Sequence, residues 1–193
     1  HLSTSYRFGQ DFANLATEVL KWKQHLQIAP PFPITGKGTS GAIKSKAVIA
    51  RTNLGLLLKA IDYVTEKEDL KNIYFEGNIS SYTYADEGAS LYDVLNLYNE
   101  NRGRIRDKLI KQMKDIDELE EYIEKTEDVQ LGMMVEIVKE YGNEIPGIIQ
   151  TIKDKHIEGD DKEQAEMVFS TVHRCKGMEY DAVQIVKDFI SEE

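Results

Sequence analysis

Two short apolar runs near the C-terminal end of the sequence constrain its fold most, because a dense polar segment separates them. The runs are Met167 to Phe169 and Ala182 to Val186, and each has the length of a buried strand. The segment between them carries histidine, arginine, lysine, glutamate and aspartate. Polar groups that follow a strand of a parallel sheet lie at the edge where α/β folds bind ligands. Two interpretations stay open at this point: a solvated surface loop, and a loop that contacts phosphate or a nucleotide.

Strands alternate with helices at both ends of the sequence. Residues 11–26 have apolar side chains at helical spacing, and the apolar run Ala47 to Ala50 precedes a second helical pattern, Leu54 to Val64. Another strand-like run, NIYFEG, ends at Gly77. This alternation predicts an α/β fold in which a parallel sheet is flanked by helices.

The middle of the sequence has a different residue composition and pattern. From about residue 100 to residue 166 it is charged and helical in pattern, which predicts a small helical insertion. We therefore divide the chain into one discontinuous domain, residues 1–99 and 167–193, and an insertion, residues 100–166.

Composition excludes several classes of protein. The 193 residues are 41% hydrophobic and 30% charged, as in soluble globular proteins, and no apolar run has the length of a membrane span. The single cysteine, Cys175, excludes an internal disulfide and a zinc site of several cysteines, so we expect no metal site and a cytoplasmic protein. A net charge of −10 provides no overall basic field, so any contact with nucleic acid must be local.

Two further segments carry groups suited to nucleotides or phosphates. In SYRFG, Tyr6 can stack on a base and Arg7 can bind phosphate, although the dipeptide alone is a weak signal. The turn RTN supplies Arg51, Thr52 and Asn53, which are donors to phosphate and sugar oxygens, yet threonine and asparagine are also ordinary helix caps. The segment GKGTSGAIK is not a P-loop, because alanine stands where GxxxxGK[ST] requires lysine.

In order and context, these segments resemble the second motor domain of UvrD/Rep/PcrA-type superfamily 1 DNA helicases. TSYRFG resembles motif IV, AVIARTNLGLLLKAI resembles motif IVa, and IYFEGNISSY stands where the family has a glycine-rich turn. STVHRCKGMEYDAVQIV closely resembles motif V, T-x-H-x-x-K-G-[LM]-E-[FWY]-x-x-V, which fixes eight positions. Within the family the sequence is most similar to the F-box-type DNA helicase branch. It departs from the common pattern at Phe8, where many members have serine, and at Glu76, where glycine is usual.

The resemblance implies a RecA-like fold that binds ATP with Mg²⁺ and single-stranded DNA. It assigns adenine stacking to Tyr6, contact with the terminal phosphate to the catalytic Arg7, and contact with the nucleotide sugar to Glu179. Lys176 and Gly177 complete the expected nucleotide-binding set. The expected DNA-binding residues are Arg51, Thr52, Asn53, Thr171 and His173.

The resemblance also implies that a complete ATP site needs residues that this sequence does not contain. The sequence has no P-loop lysine, no magnesium-binding carboxylate pair of the first motor domain and no motif VI arginine. We therefore expect a fragment of a longer helicase, with a role in DNA repair, whose first RecA-like domain supplies the metal ligands; the isolated chain is expected to be inactive. A catalytically inactive RecA-like module, which binds nucleic acid or regulates, is the alternative. A purely acidic helical interaction protein is a third interpretation.

The resemblance and the strand pattern also predict where the candidate site residues lie relative to one another. We expect a strand from Met167 to Val172 to bring His173 near the turn of residues 51–53, because both follow neighbouring parallel strands. If that strand persists, Thr171 and His173 share one side of it. We expect Glu179 to face Tyr6 and Arg7 at another edge of the domain.

Overall fold

The computed structural model of the protein describes residues 3–25, 33–39, 41–67, 69–85 and 88–188. The chain forms two units, residues 1–44 and residues 45–193. In the first unit, strand β1 (Thr4–Ser5) pairs in parallel with strand β2 (Thr35–Gly36), and helix α1 (Gln10–His25) lies between them in sequence.

Polar contacts attach α1 to the segment that contains β2. The Ile34 amide donates to Thr17 Oγ1 at 3.0 Å, and the Gly36 amide donates to Gln10 Oε1 at 3.1 Å. The helix predicted over residues 11–26 is confirmed up to residue 25, and residue 26 lies outside the described residues. Its apolar spacing is a property of the local sequence.

The second unit contains a four-stranded parallel sheet. Its strands are β3 (Lys46–Ala50), β4 (Ile73–Phe75), β5 (Met167–Thr171) and β6 (Ala182–Ile185), in the spatial order β4-β5-β3-β6. The prediction of an α/β fold with a parallel sheet flanked by helices is confirmed.

Six helices of this unit are described, together with four short 3₁₀ turns. The turns span Ile79–Thr83, Arg102–Arg104, Gly142–Glu144 and Gly159–Gln164. The helices are α2 (Asn53–Glu66), α3 (Leu91–Tyr98), α4 (Lys108–Gln112), α5 (Ile116–Thr126), α6 (Val129–Tyr141) and α7 (Ile145–Lys155). Among the described residues, no helix is both long and apolar enough to cross a membrane.

One face of the sheet forms the main core with α2. Phe75 and Phe169 on neighbouring strands stack with ring centroids 4.9 Å apart, and Leu57 and Ile61 of α2 are buried in the same cluster. Helices α6 and α7 pack on α2, and α3 packs on α5 and α6. The helices of residues 100–166 therefore share this core, while the domain boundaries proposed from the sequence stay a prediction.

The opposite face of the sheet is less covered. Val168 and Ala47 are buried there, with Tyr180 packed against them, whereas Val183 and Ile185 of the edge strand β6 are 48% and 64% exposed. This face carries the polar segment that joins β5 to β6.

His156 fixes the short strand β4 to the end of α7. Its Nδ1 accepts the Phe75 amide at 3.2 Å, and the Ile157 amide donates to the Ile73 carbonyl at 2.9 Å. Burial lowers the pKa of the His156 imidazole, although the Glu158 carboxylate opposes that shift. The folded chain therefore prefers the neutral ring, since a proton on Nδ1 would abolish its role as acceptor.

We expect this contact to weaken the fold in acid. A pKa that is lower in the folded than in the unfolded chain stabilises the protein above about pH 6.5, and that stabilisation is lost as pH falls through the folded-state pKa. Urea unfolding at about pH 7.5 and about pH 5.5 should show a smaller loss for His156→Asn, which keeps an acceptor but does not titrate. His173→Asn, at an exposed position, is the matched control. Equal losses in wild type and His156→Asn would contradict the assignment.

Candidate functional site

Two polar turns leave the same edge of the sheet. Strands β3 and β5 are parallel neighbours with Ala50 opposite Thr171, and the Val172 amide donates to the Ala50 carbonyl at 3.0 Å. The turn of residues 51–53 and the turn that begins at Val172 therefore start side by side. The expected proximity of His173 to residues 51–53 is confirmed, and the side chains of His173 and Arg51 are exposed.

Strand β5 ends one residue earlier than expected. The Thr171 carbonyl accepts the amides of Arg174 and Cys175, both at 3.0 Å, so the chain curls into a tight turn directly after the strand. Thr171 is only 6% exposed, while His173 is exposed. The alternation of a strand therefore does not extend to His173, and the two residues do not share a side.

Asp188, which follows β6, holds the turn of residues 51–53. Its Oδ1 accepts the Arg51 amide at 2.9 Å, and its Oδ2 accepts the Thr52 amide and the Thr52 hydroxyl, both at 2.8 Å. The same hydroxyl accepts the Gly55 amide at 3.0 Å and so caps α2. Thr52 thus uses its hydroxyl as both donor and acceptor inside the protein, whereas the Arg51 side chain extends outward with only Nε near the Asp188 carbonyl, at 3.3 Å.

The 3₁₀ turn at Ile79–Thr83 joins both polar turns. Asn53 Nδ2 donates to the Ser81 carbonyl at 3.5 Å, and Arg174 Nη2 donates to Ser81 Oγ at 3.1 Å. Arg174 also donates through Nη1 to the Glu76 carbonyl at 2.9 Å, and its guanidinium lies 4.7 Å from the centroid of the Tyr82 ring. These contacts give Arg174 a structural role, because its guanidinium is held by the protein.

Gly77 allows this close approach. It has a φ of +84°, and a Cβ there would lie 3.2 Å from the Arg174 guanidinium. The turn after β4 thus keeps a glycine at the position where both backbone conformation and space require it.

The polar segment of residues 172–181 runs across the sheet from the C-terminal ends of the strands to their N-terminal ends. It begins beside Ala50, and it ends at Asp181, whose Oδ2 accepts the Ser45 amide at 2.8 Å and the Ser45 hydroxyl at 3.0 Å. Ser45 and Ala50 are five residues apart on one extended segment, which corresponds to about 16 Å. Glu179, two residues before Asp181, therefore lies towards the N-terminal ends of the strands, whereas His173 lies at their C-terminal ends.

Tyr180 anchors this crossing segment. Its phenol lies 3.5 Å from Glu76 Oε1, and Glu76 also pairs with Lys162. Burial raises the pKa of the Tyr180 phenol, and the Glu76 carboxylate raises it further, so the phenol stays protonated and can donate to Glu76. The ammonium group of Lys162 lies 5.6 Å from the Tyr180 ring centroid. The segment is thus held at its start by Val172 and at its end by Tyr180 and Asp181.

The residues expected at the nucleotide divide between the two units. Tyr6 and Arg7 follow β1 in the first unit, where Tyr6 is 74% exposed and the Arg7 amide donates to Ser5 Oγ at 3.2 Å. Lys176, Gly177 and Glu179 are exposed on the second unit. The expectation that Glu179 faces Tyr6 and Arg7 stays a prediction, as do the roles assigned to all the site residues.

Sequence reasoning missed the residues that build the two turns. Asp188 is 136 residues from Thr52, and Ser81 and Glu76 contact Arg174 across 93 and 98 residues. No local pattern marks such partners; an aspartate two residues after a predicted strand was the only available signal. In the described part of the chain, no group of three or more histidine, cysteine, aspartate or glutamate side chains is arranged to hold a metal ion.

The fold and the two turns define an α/β domain whose parallel sheet presents exposed cationic and polar groups at the C-terminal ends of its strands. Comparison with known proteins finds 24% identity over 201 residues to F-box DNA helicase 1 from Gallus gallus, covering 98% of this chain. The chain spans about a fifth, 19%, of the length of that relative. No family model matches the chain, and no solved structure matches it. The chain is therefore similar to a region of a DNA helicase, and its narrower assignment to a UvrD-type second motor domain stays a prediction.

Proposed function

We propose that the chain is part of an ATP-dependent DNA helicase or translocase, and that it supplies one side of a single-stranded DNA path and part of an ATP site. The observation that carries the proposal is the side-by-side start of the two polar turns at the C-terminal edge of β3 and β5. The similarity to a DNA helicase over nearly the whole chain supports the same conclusion.

The exposed members of the two turns suit a DNA backbone. The side chains of Arg51 and His173 are exposed on turns that start side by side, and such donors contact phosphate and sugar oxygens without reading sequence. Thr52 and Thr171 are each 6% exposed. We therefore assign them to shaping the two turns, while Arg51 and His173 carry the phosphate contacts and Asn53 links the turn to Ser81.

The residues of the first unit suit a nucleotide. The Tyr6 ring is 74% exposed, so its face is open to stack on adenine, and Arg7 would bind the terminal phosphate of ATP. Lys176, Gly177 and Glu179 would complete the contacts to phosphate and ribose. Mg²⁺, held by a first RecA-like domain of the same longer chain, would neutralise charge on the phosphates.

The crossing segment gives this arrangement a means of coupling. Residues 172–181 form one short connection. It starts beside Ala50, at the C-terminal end of β3, and ends beside Ser45, just before β3 begins. A change at the nucleotide side that moves Glu179 would therefore act on the turn that holds His173. This coupling is how closure around ATP would alter the hold on the DNA strand.

Binding of a fluorescent oligothymidine to the 193-residue chain tests the DNA side. We expect Arg51→Ala and His173→Ala each to weaken binding at low salt, and loss of one phosphate contact should lower the slope of log affinity against log salt by about 0.7. Lys153→Ala, at an exposed site on α7, is the matched control. Unchanged affinity in both turn variants would remove the sheet edge as the DNA site.

A further inference from the structure

A groove of about 860 Å³ lies beside α3, and none of the candidate site residues from the sequence lines it. Two tyrosines, Tyr84 and Tyr92, and three cations, Arg104, Arg106 and Lys108, line it. The combination of exposed rings and positive charge is local, because the whole chain carries a net charge of −10.

The backbone places the three cations on one side. Ile105 and Asp107 are in extended conformations, with φ and ψ of −74° and 123° and of −65° and 133°. Side chains alternate along extended backbone, so the buried Ile105 faces the core while Arg104, Arg106 and Lys108 are exposed.

The carboxylates at the groove hold backbone amides. Asp93, 5% exposed, accepts the Arg106 amide through Oδ1 at 2.7 Å, and Asp107 Oδ1 accepts the amides of Leu109 and Ile110 in α4, both at 2.9 Å. Across the described ranges, no hydrogen bond or ion pair reaches the side chains of Arg104, Arg106 or Lys108. The acidic groups thus shape the groove and leave these cations available to a ligand.

The backbone at the two tyrosines is held by hydrogen bonds, and their side chains are partly exposed. Tyr84 forms an antiparallel bridge with Ser90, and the Ala85 amide donates to the Ala89 carbonyl at 2.8 Å, which fixes the turn that carries Tyr84. Tyr84 is 45% exposed and Tyr92, in the first turn of α3, is 36% exposed. Partly exposed rings on an ordered backbone suit stacking with an unpaired base.

The groove begins one 3₁₀ turn away from the sheet edge. The Tyr84 amide donates to the Ser81 carbonyl at 3.3 Å, and Ser81 is the residue that Asn53 and Arg174 both contact. Ser81 therefore links the turn of residues 51–53 to Tyr84 at the start of the groove.

We propose that this groove binds single-stranded DNA, with phosphates on Arg104, Arg106 and Lys108 and bases on Tyr84 and Tyr92, and so extends the DNA path beyond the sheet edge. The choice of DNA rests on the proposed function, whereas the site rests on the groove itself. Alternating cations match phosphates, and exposed rings reach only the bases of an unpaired strand.

Oligothymidine binding across a salt series tests the proposal with two kinds of variant. Arg104→Gln with Arg106→Gln should weaken binding about tenfold or more at about 50 mM salt and lower the slope of log affinity against log salt by about 1.4, or 0.7 for each phosphate. Tyr84→Leu should weaken binding about fivefold or more at every salt concentration and leave the slope unchanged, because stacking releases no counterions. Lys125→Gln with Lys153→Gln removes the same net charge on α5 and α7 and should behave as wild type. Unchanged circular dichroism confirms that each variant is folded.

The outcomes separate the two proposals. If Arg51→Ala weakens binding while the arginine pair and Tyr84→Leu do not, the groove is not a DNA site and the proposed function stands. If the groove variants weaken binding while Arg51→Ala and His173→Ala do not, the groove stands and the sheet-edge site fails. Equal or tighter binding of a blunt duplex overturns the assignment to single strands. No binding by the wild-type chain at about 50 mM salt, where phosphate contacts are strong, also overturns it.

Discussion

Replacing Arg7 with alanine is expected to lower DNA-stimulated ATP hydrolysis by the proposed full-length helicase about 10³-fold or more. A guanidinium at the terminal phosphate stabilises the charge that develops during phosphoryl transfer, and loss of such an arginine costs rates of that order. Binding of single-stranded DNA should be largely kept, because Arg7 belongs to the first unit and the proposed DNA contacts lie on the second. Phosphate release with and without oligothymidine measures the first quantity, and anisotropy measures the second.

Two substitutions control this experiment. Arg7→Lys keeps the charge but loses the planar pair of donors, so its activity should fall between wild type and Arg7→Ala. Lys21→Ala removes an exposed cation of α1 in the same unit and should hydrolyse ATP normally. Nearly normal hydrolysis by Arg7→Ala would show that Arg7 is an ordinary surface residue and would withdraw the motif IV assignment.

Replacing Asp188 with alanine is expected to lower the free energy of unfolding by about 3 kcal/mol. The carboxylate accepts three hydrogen bonds from Arg51 and Thr52, and removing an acceptor from a largely buried donor costs about 1–3 kcal/mol for that donor. Thr52 is 6% exposed, so its amide and hydroxyl cannot be fully hydrated in the variant. Urea unfolding of the 193-residue chain measures the change.

A double-mutant cycle connects this loss to the turn. Thr52→Val removes the hydroxyl that donates to Asp188 and caps α2, so its effect should overlap with that of Asp188→Ala and the two should not add. Asp188→Asn keeps one acceptor oxygen and should lose less stability than the alanine variant. Full additivity, or a change for Asp188→Ala below about 0.5 kcal/mol, would mean that Asp188 does not hold the turn.

The DNA side should respond to the same variant. Without Asp188 the Arg51 amide loses its acceptor, and the turn that carries Arg51 loses the contact that holds it next to the turn after β5. We therefore expect weaker oligothymidine binding even though Asp188 carries a negative charge, whose removal alone would favour a polyanion. Tighter binding by Asp188→Ala would show that charge outweighs position at this edge.

Helices were predicted well because their signals are local. The patterns of residues 11–26 and 54–64 correspond to α1 and α2, and Thr52 is the cap that begins α2. The charged stretch after residue 100 contains α4, α5, α6 and α7. Apolar periodicity of 3.6 residues and capping side chains act within a few positions of one another, so one sequence is enough to read them.

The sequence predicted where the strands lie along the chain, but it did not predict the order of all the strands in the sheet. The runs at residues 167–169 and 182–186 are β5 and β6, and the turn after β3 lies beside the turn after β5 as expected. The spatial order β4-β5-β3-β6 and the partners of Asp188, Arg174 and Glu76 depend on contacts across about a hundred residues.

The sequence by itself determined the α/β class, the helices and the two polar turns, because these follow from periodicity and from residue types at short spacing. Only the tertiary structure decided that Thr171 and Thr52 are buried while His173 and Arg51 are exposed, and that residues 172–181 cross the sheet. It also brought Tyr84 and Tyr92 to the cations of residues 104–108. Burial and proximity are properties of the packed chain: each side chain is covered or exposed by segments distant in sequence, and no local pattern encodes which segments those are.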